Sequence, residues 1–272
     1  MLRARTRLAR LVQRLVNAQV RVIRLLLRAI HARMVARGRG VWPFITGDAL
    51  RALCDVTVEL VDQGPRLTEA RPGSLVFIRS EILPFVEHHL RASKPGSVYV
   101  LHNGDLSVDY SVVNLFPRDS LIFAQNCTSP SPTCIPVPIG LENEWPYFNH
   151  GVTMDYRILR VRSAKKVPRI LYGFTVSNNP ERRSAALQEL ERHPLAYCTH
   201  GWSSPVYRRI LKRFQFVASP PGNGLDCHRT WEAMYLRTVP IVERSPMTEN
   251  FRSLGLPLLV LPALPGYLVA VD

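Results

Sequence analysis

Residues 216–242 have the residue types and spacing best suited to hold a phosphate-containing ligand. An apolar run at 216–218 leads into a Pro-Pro-Gly-Asn-Gly loop, after which a helix is predicted to begin at Asp226. A loop of this kind offers backbone N–H groups at a helix N-terminus, where the helix dipole also favours an anion. Arg229 falls in the first turn of that helix and adds a guanidinium that can pair with phosphate.

Glu232 follows Arg229 by three residues, so the two side chains share a face of the predicted helix. A phosphate-binding cation one turn from a hydroxyl-binding carboxylate suits a nucleotide sugar, whose diphosphate and ribose are similarly adjacent. The same spacing also describes an Arg–Glu pair on a solvated helix surface, and the residues alone leave both interpretations open. Arg182, at another predicted helix start, is a further candidate for the donor phosphates, with a solvated helix face as the competing account.

Polar residues also stand where three predicted strands end, at 102–105, 125–126 and 140–143. Ligands of open α/β sheets bind beyond the carboxyl ends of the strands, so these three loops are expected to converge on one cleft. Asp105 is the first candidate for a base that deprotonates an acceptor hydroxyl, and Glu142 is the second. The alternative for Asp105 is a turn residue that bonds its own backbone.

The elements that must position these residues alternate between strands and helices. Continuous β-branched and aromatic runs are typical of strands in a parallel sheet, and periodic apolar residues indicate the helices between them. The first half is predicted to contain strands at 74–79, 97–102, 120–125 and 135–139, with a helix at 82–92. The second is predicted to contain strands at 169–174, 195–198, 214–218, 239–242 and 256–261, with helices at 180–193, 204–213 and 226–236. We expect an α/β fold with two domains, residues 41–160 and 165–272, connected by a helix at 154–163.

The net charge of +14 is concentrated at the N-terminus of the 272-residue chain. Residues 1–40 contain eleven arginines and no acid, whereas residues 41–272 carry 24 basic and 21 acidic residues, a net charge of +3. The arginine and leucine spacing predicts a basic amphipathic helix that can lie on an anionic membrane but is too often interrupted by charge to cross one. The alternatives for residues 1–40 are a targeting presequence and a helix that packs on the rest of the protein. A secretory signal is disfavoured. Nucleic-acid binding is not expected, because residues 1–40 contain no Phe, Trp or Tyr that could stack on bases.

The segment at 216–242 resembles the nucleotide-sugar-binding signature of GT-B glycosyltransferases, most of all the exostosin-like and related bacterial enzymes. Its matching parts are the loop at 219–224, the residues 226–229, Glu232-Ala233 and the run at 239–242. The loops at 102–105, 123–126 and 138–143 are also similar to motifs of a bacterial subgroup, and the resemblance covers about residues 74–261. It implies two Rossmann-like domains, with Glu232 on the donor ribose and Arg229 stabilising the leaving diphosphate. The implied donor-binding residues are Gly222, Asn223, Gly224, Asp226, His228, Arg229, Glu232 and Arg182.

The resemblance therefore predicts transfer of a sugar from a nucleotide-diphosphate donor to a glycan or lipid-linked acceptor at the cytoplasmic membrane face. The acceptor side would be residues 41–160 and the donor side residues 165–272, with no metal or other cofactor. Arg237 stands where the family often has Gly, and the end at Asp272 predicts a shortened donor domain. A non-catalytic binding or scaffold protein of the same fold, and a membrane-associated protein acting through its arm, are the rival functions. Five cysteines without a CxxC pair suit a reducing compartment.

Overall fold

The computed structural model describes residues 44–143, 153–161, 164–199 and 201–262. The predicted basic helix at 1–40 lies outside these described residues. Within them the chain forms two five-stranded sheets, each with helices between its strands, and every strand pair is parallel. The mixed α/β class and the two parallel sheets are compatible with the predicted arrangement of two Rossmann-like units.

The first sheet follows chain order, with each strand next to the one before it. Its middle strands are buried on both faces, which explains their continuous apolar sequences. The strands are β1 (Val56–Val58), β2 (Leu75–Arg79), β3 (Val98–His102), β4 (Leu121–Ala124) and β5 (Cys134–Pro136). The helices are α1 (Gly47–Ala52), α2 (Arg66–Glu69), α3 (Leu83–Arg91) and α4 (Tyr110–Val113), with short 3-10 turns at Val61–Gln63 and Ser80–Ile82.

The second sheet has the order β10-β9-β8-β6-β7, so its first strand, β6, lies between β7 and β8. This is the flavodoxin-like doubly wound order, in which the chain reverses its direction of growth between β6 and β8. The elements are α5 (Thr153–Val161), β6 (Val167–Tyr172), α6 (Pro180–Arg192), β7 (Ala196–Cys198), α7 (Ser204–Leu211), β8 (Phe214–Ala218), α8 (His228–Tyr235), β9 (Val239–Glu243), α9 (Pro246–Ser253) and β10 (Leu259–Leu261), with a 3-10 turn at Val176–Asn178.

Helix starts follow local capping chemistry. The Asn179 side chain accepts a hydrogen bond from the Arg182 backbone N–H, and Pro180 occupies the first helical position of α6, which confirms the predicted start. Ser245 caps α9 in the same way, with its hydroxyl accepting from the Thr248 N–H at 3.1 Å. None of the helices in the described part of the chain has both the length and the apolar character needed to cross a membrane.

The predicted elements differ from the observed ones mainly where elements are short. The strand expected at 135–139 is β5, which ends at Pro136, because the Ile139 N–H bonds a side chain of the second half instead of a strand. The helix expected to begin at 226 is α8, which begins at His228, because the Asp226 carboxylate accepts from the Cys227 N–H. Strand β1 and helices α1, α2, α4 and α9 were not predicted.

Hydrogen bonds along α8 and the loop before it join the two halves of the chain. The Asn126 side chain, fully buried after β4, accepts from the Asp226 N–H at 2.9 Å. The Asp226 carboxylate in turn accepts from the Ile139 N–H at 2.8 Å. At the far end of α8, the Tyr235 hydroxyl accepts from the Ile45 N–H at 2.9 Å. The two halves therefore meet along residues 224–235, which include the segment singled out in the sequence.

Candidate functional site

A cavity of about 230 Å³ lies at the carboxyl end of β6, where the order of the second sheet reverses. Topological switch points are the usual ligand sites of doubly wound sheets, because the loops on either side diverge there and leave a crevice. We call this the switch-point cavity. It is lined by Gly173, Phe174, Thr175, Thr199, Gly201, Trp202, Ser204, Tyr207, Arg208, Arg229 and Glu232.

Glu232 enters the switch-point cavity from the middle of α8 and is only 2% exposed. The Tyr156 hydroxyl, from α5, hydrogen-bonds this carboxylate. Burial, followed by the negative charge of Glu232, raises the pKa of Tyr156 well above its usual value, so the phenol stays protonated as a donor. The structure thus fixes the Glu232 carboxylate at the cavity wall, as a residue that accepts ligand hydroxyl groups must be.

Arg229 lies one turn before Glu232 and lines the same cavity, as their spacing predicted. Its Nη2 donates to the Gly173 carbonyl at 2.7 Å, and its guanidinium carbon lies 5.9 Å from the centre of the Phe174 ring. These contacts hold the guanidinium beside the end of β6, at the switch point.

In this cavity the Tyr207 hydroxyl lies against the Arg229 guanidinium, and neither that hydroxyl nor Arg229 Nε has a well-formed hydrogen bond among the described residues. Burial raises the pKa of Tyr207 to about 12, with the charge of Arg229 opposing the rise, so the hydroxyl is neutral. A buried polar group without any partner costs about 1–3 kcal/mol, so a ligand that bonds these poorly satisfied atoms recovers part of that cost. This pattern favours a polar ligand in the cavity.

A second arginine adds positive charge to the switch-point cavity. Arg208, 3% exposed, pairs with Asp155 through Nη2 and Oδ2 at 2.6 Å, and its guanidinium carbon lies 5.7 Å from the centre of the Tyr156 ring. The lining therefore carries two arginines and one glutamate, and the charge of Arg208 is offset by Asp155. An anionic group with neighbouring hydroxyls matches this combination of charges.

A larger cavity, of about 460 Å³, lies at the carboxyl ends of the first sheet, and we call it the sheet-end cavity. The structure brings Asp105 and Glu142 together in its lining, as the polar loops at 102–105 and 140–143 predicted. The remaining lining residues are Gly47, Asp48, Arg51, Glu59, Arg79, Glu81, His102, Asn103, Gly104, Gln125, Ile139, Asn143 and His228. Five carboxylates against two arginines make it an acidic cavity, suited to a ligand rich in hydroxyls rather than to a second anion.

Asp105 is exposed, and its backbone N–H donates to the Glu81 carboxylate. Gln125, 1% exposed, donates from Nε2 to the Gly104 carbonyl at 2.6 Å. Glu81 Oε2 and Gln125 Oε1 have no hydrogen-bond partner in the described part of the chain. His102 forms part of the same wall, and burial lowers its pKa, which keeps the ring neutral. The sheet-end cavity thus also presents acceptor atoms to a ligand.

The first turn of α8 separates the two cavities. His228 lines the sheet-end cavity, whereas the next residue, Arg229, and Glu232 line the switch-point cavity. His228 Nδ1 lies 2.9 Å from the Gly140 carbonyl, which can only accept, so Nδ1 carries the proton. In the neutral ring Nε2 is then the acceptor nitrogen. His228, expected to bind the donor, is thus placed on the side of the presumed acceptor.

The glycine loop at 222–224 does not line the switch-point cavity. The Gly222 carbonyl accepts from Asn179 Nδ2 at 2.9 Å, and a Cβ at Gly222 would lie 2.9 Å from Arg183 Nη2. A Cβ at Gly224 would lie 2.7 Å from Asn126 Nδ2 of the first half, while Asn223 is exposed. In the described structure this loop packs between Arg183 and the first half.

Asp226 and Arg182 line a narrow space of about 20 Å³ between β8, β9 and α9, too small for a nucleotide. Burial raises the pKa of Asp226 to about 6, against the hydrogen bonds it accepts from the Trp231 ring and from the Ile139 and Cys227 N–H groups. Arg182 forms an ion pair with the buried Glu243. The structure gives both residues contacts within the protein, away from Arg229 and Glu232.

Sequence reasoning missed several residues that the structure places in the two cavities. Tyr207 and Arg208, in α7, are two of them. Glu81 of the sheet-end cavity and Tyr156, which bonds Glu232, carried no local motif, because their roles depend on contacts with distant parts of the chain.

No protein-family model and no curated protein sequence matches the chain. The family resemblance therefore remains a prediction that rests on the motifs of the sequence. Among the described residues no three His, Cys, Asp or Glu side chains converge as a metal site.

Proposed function

We propose that this protein is a glycosyltransferase that moves a sugar from a nucleoside-diphosphate donor to a hydroxyl of a glycan or lipid-linked acceptor. The observation that carries the proposal is the switch-point cavity, where Arg229 and the buried Glu232 face the same space. The Tyr207 hydroxyl lies against the Arg229 guanidinium there, and neither it nor Arg229 Nε has a well-formed hydrogen bond among the described residues. A nucleoside diphosphate supplies both an anion and vicinal hydroxyls, which these groups require.

In this proposal the switch-point cavity holds the donor. The Glu232 carboxylate accepts hydrogen bonds from the ribose hydroxyls, and Tyr156 keeps that carboxylate in place. The aromatic rings of Phe174 and Trp202 offer apolar surfaces for the base. The guanidinium of Arg229 faces the diphosphate, whose charge grows as the bond to the sugar breaks, so its contribution is largest in the transition state.

The acceptor occupies the sheet-end cavity, on the other side of the first turn of α8. A carboxylate there takes the proton of the acceptor hydroxyl while its oxygen attacks the anomeric carbon and the nucleoside diphosphate leaves. Asp105 is the first candidate for this base and Glu142 the second, and both line the cavity. The five carboxylates of the lining favour an uncharged, hydroxyl-rich acceptor.

Isothermal titration calorimetry with UDP- and GDP-sugars tests the donor site. Glu232→Gln and Arg229→Gln are expected to weaken binding by at least about tenfold, since each removes a charged partner of the donor. The matched controls Glu191→Gln and Arg192→Gln change the same residue types on the exposed surface of α6 and should bind as the wild type does. Thermal unfolding of each variant establishes that it is folded. The proposal fails if the intact protein binds no nucleotide sugar.

A turnover assay then separates an enzyme from a binding protein of the same fold. The release of nucleoside diphosphate is measured with a panel of glycan and lipid-linked acceptors. Asp105→Asn is expected to lower the rate while leaving donor affinity unchanged, because Asp105 lines only the sheet-end cavity. Donor binding without turnover on any acceptor would instead identify a non-catalytic protein.

We also propose that the protein works at the cytoplasmic face of a membrane, held there by the eleven arginines of residues 1–40. Flotation with anionic liposomes, of the whole chain and of a chain lacking residues 1–40, tests this location. Equal flotation of the two chains would contradict a role of residues 1–40 in membrane binding.

A further inference from the structure

A third cavity, of about 200 Å³, lies beside the second sheet, at the opposite ends of its strands from the switch-point cavity. Lys166 immediately precedes β6, Lys212 precedes β8 and Arg237 precedes β9, so the cavity is at the amino ends of these parallel strands. We call it the basic cavity. Its lining is Leu159, Arg160, Ala164, Lys166, Lys212, Tyr235, Leu236 and Arg237, four cations without a single acid.

Lys166 forms the floor of the basic cavity. Its ammonium donates to the carbonyls of Lys212 and Phe214 and to the Thr238 hydroxyl, each at 3.0 Å. Burial, together with the positive charges of Lys212 and Arg237, lowers the pKa of Lys166 to about 8. The lysine is therefore fixed in place, and the neighbouring cations make its surroundings unfavourable for another positive charge.

The other three cations, Arg160, Lys212 and Arg237, are not neutralised by acids. In the part of the chain that the structure describes, no ion pair joins any of them to a carboxylate. Arg160 and Arg237 are exposed at the rim, and Lys212 is half-buried. Their charge is available to something outside the protein.

The negative ends of three helix dipoles offset only part of this positive charge. Helices α5, α7 and α8 all end at the basic cavity, and each helix C-terminus carries roughly half a negative charge. Three such termini amount to about −1.5, against four cations, which leaves an excess of about +2.5. Residues 41–272 have a net charge of only +3, and four of their 24 basic residues line this one cavity without an acid among them.

Arg237 keeps a conformation that glycine would adopt at lower cost. Its φ is +60°, in the left-handed region, where a side chain carries a steric penalty. This conformation ends α8, since the Thr238 N–H donates to the Ala233 carbonyl, and it leaves the Arg237 guanidinium at the rim of the cavity.

We propose that the basic cavity is a binding site for a phosphate group, either inorganic phosphate or the phosphate ester of an anionic lipid headgroup. One water molecule occupies about 30 Å³ of liquid, so 200 Å³ accommodates a phosphate with several waters. Arginine and lysine are the side chains that bind phosphate oxygens. The guanidinium group donates two parallel hydrogen bonds, and the ammonium group acts as a compact positive charge. The site is separate from the switch-point cavity, and it stands whether or not the protein transfers sugars.

Two substitutions in the full-length chain test the proposal without removing a structural group. Arg237→Gly removes a rim charge and relieves the backbone, so a loss of binding in this variant cannot come from unfolding. Arg160→Gln removes the exposed arginine of α5. Arg213→Gln is the matched control, since Arg213 is exposed beside Lys212 but does not line the cavity.

The first measurement is the thermal unfolding midpoint against the concentration of inorganic phosphate, with chloride holding the ionic strength constant. Removing two charges at close range is expected to raise the half-saturating phosphate concentration of the double variant by at least about tenfold. The Arg213→Gln control should respond as the wild type does. Equal phosphate responses in wild type, double variant and control would overturn a site for inorganic phosphate.

The second measurement distinguishes the two sources of phosphate. Flotation is compared on vesicles of phosphatidylcholine alone and on vesicles that also contain phosphatidylglycerol, with residues 1–40 present in every variant. A loss of flotation in the double variant but not in the control identifies a lipid headgroup as ligand. Unchanged flotation with a lost phosphate response identifies a free phosphate. If neither measurement separates the double variant from the control, the basic cavity does not bind phosphate.

Discussion

Replacing Gly224 with alanine tests how the two sheets are held together. Gly224 has no positive φ, so alanine fits its backbone and any cost must come from the space around it. The new Cβ would lie 2.7 Å from Asn126 Nδ2 and 3.0 Å from its Oδ1. Asn126 is fully buried, and its side chain bonds both the Asp226 N–H and the Gly104 carbonyl, so it cannot turn aside without breaking one of these bonds.

The cost can be worked out from these contacts. Overfilling a packed interior costs about 1–3 kcal/mol, and leaving the buried Asp226 N–H without its acceptor costs about 1–3 kcal/mol more. We therefore expect Gly224→Ala to lower the free energy of unfolding by about 2–6 kcal/mol. Gly255→Ala is the control, because Gly255 has a φ of +82° and nothing within 4 Å of a new Cβ, so only backbone strain of about 1 kcal/mol is expected.

Urea unfolding followed by circular dichroism measures both effects. The double variant Gly224→Ala with Asn126→Ala removes the side chain that meets the new methyl group, so its cost should be smaller than the sum of the two single costs by more than about 1 kcal/mol. Two results would refute the reasoning. One is a Gly224→Ala variant as stable as Gly255→Ala, and the other is strict additivity in the double variant.

Three further predictions follow from the cavities and the cysteines. Stabilisation by sulfate, a dianion of similar size that, unlike phosphate, does not titrate between pH 7 and 9, should fall as the pH rises over that range, because Lys166, with its pKa lowered to about 8, loses the positive charge that favours the anion; thermal unfolding in sulfate and in chloride at each pH checks this. Gly104→Ala should abolish sugar transfer while calorimetry shows donor binding unchanged, since the new Cβ would lie 1.8 Å from a carboxylate oxygen of the sheet-end cavity. Labelling with a thiol reagent followed by mass spectrometry should modify the exposed Cys198 in the folded protein, and the fully buried Cys127 and Cys134 only after unfolding; rapid labelling of the buried pair would contradict the packing of β4 against β5.

Local sequence predicted much of the second sheet, because each of its elements is specified by neighbouring residues. The run at 214–218 is continuously apolar or aromatic apart from one residue, and it forms β8 with the predicted bounds. Asn179 and Pro180 specify the start of α6 within two residues. The pair formed by Arg229 and Glu232 could be placed in one site because both lie on the same helix face, and a helix determines that spacing by itself.

Strand order and long-range contacts could not be predicted in this way. The position of β6 between β7 and β8 depends on how the helices pack, and it creates the switch-point cavity. The hydrogen bond between Asn126 and Asp226 joins residues 100 positions apart in the sequence. No local pattern therefore predicts that the glycine loop contacts the first half of the chain. Strand β1 has only three residues, too few for a period of two to be recognised.

The position of α8 has a consequence for how the two cavities communicate. His228 is bonded to the first half, whereas Arg229, the next residue, is bonded to the end of β6, so a displacement of that turn alters both cavities at once. If both cavities bind ligands as proposed, a turn shared in this way links the two affinities thermodynamically. By reciprocity, if a ligand in the switch-point cavity changes the affinity of the sheet-end cavity by some factor, a ligand in the sheet-end cavity changes the affinity of the switch-point cavity by the same factor. An ordered binding sequence would in that case be a property of a single helical turn, without any movement of one sheet against the other.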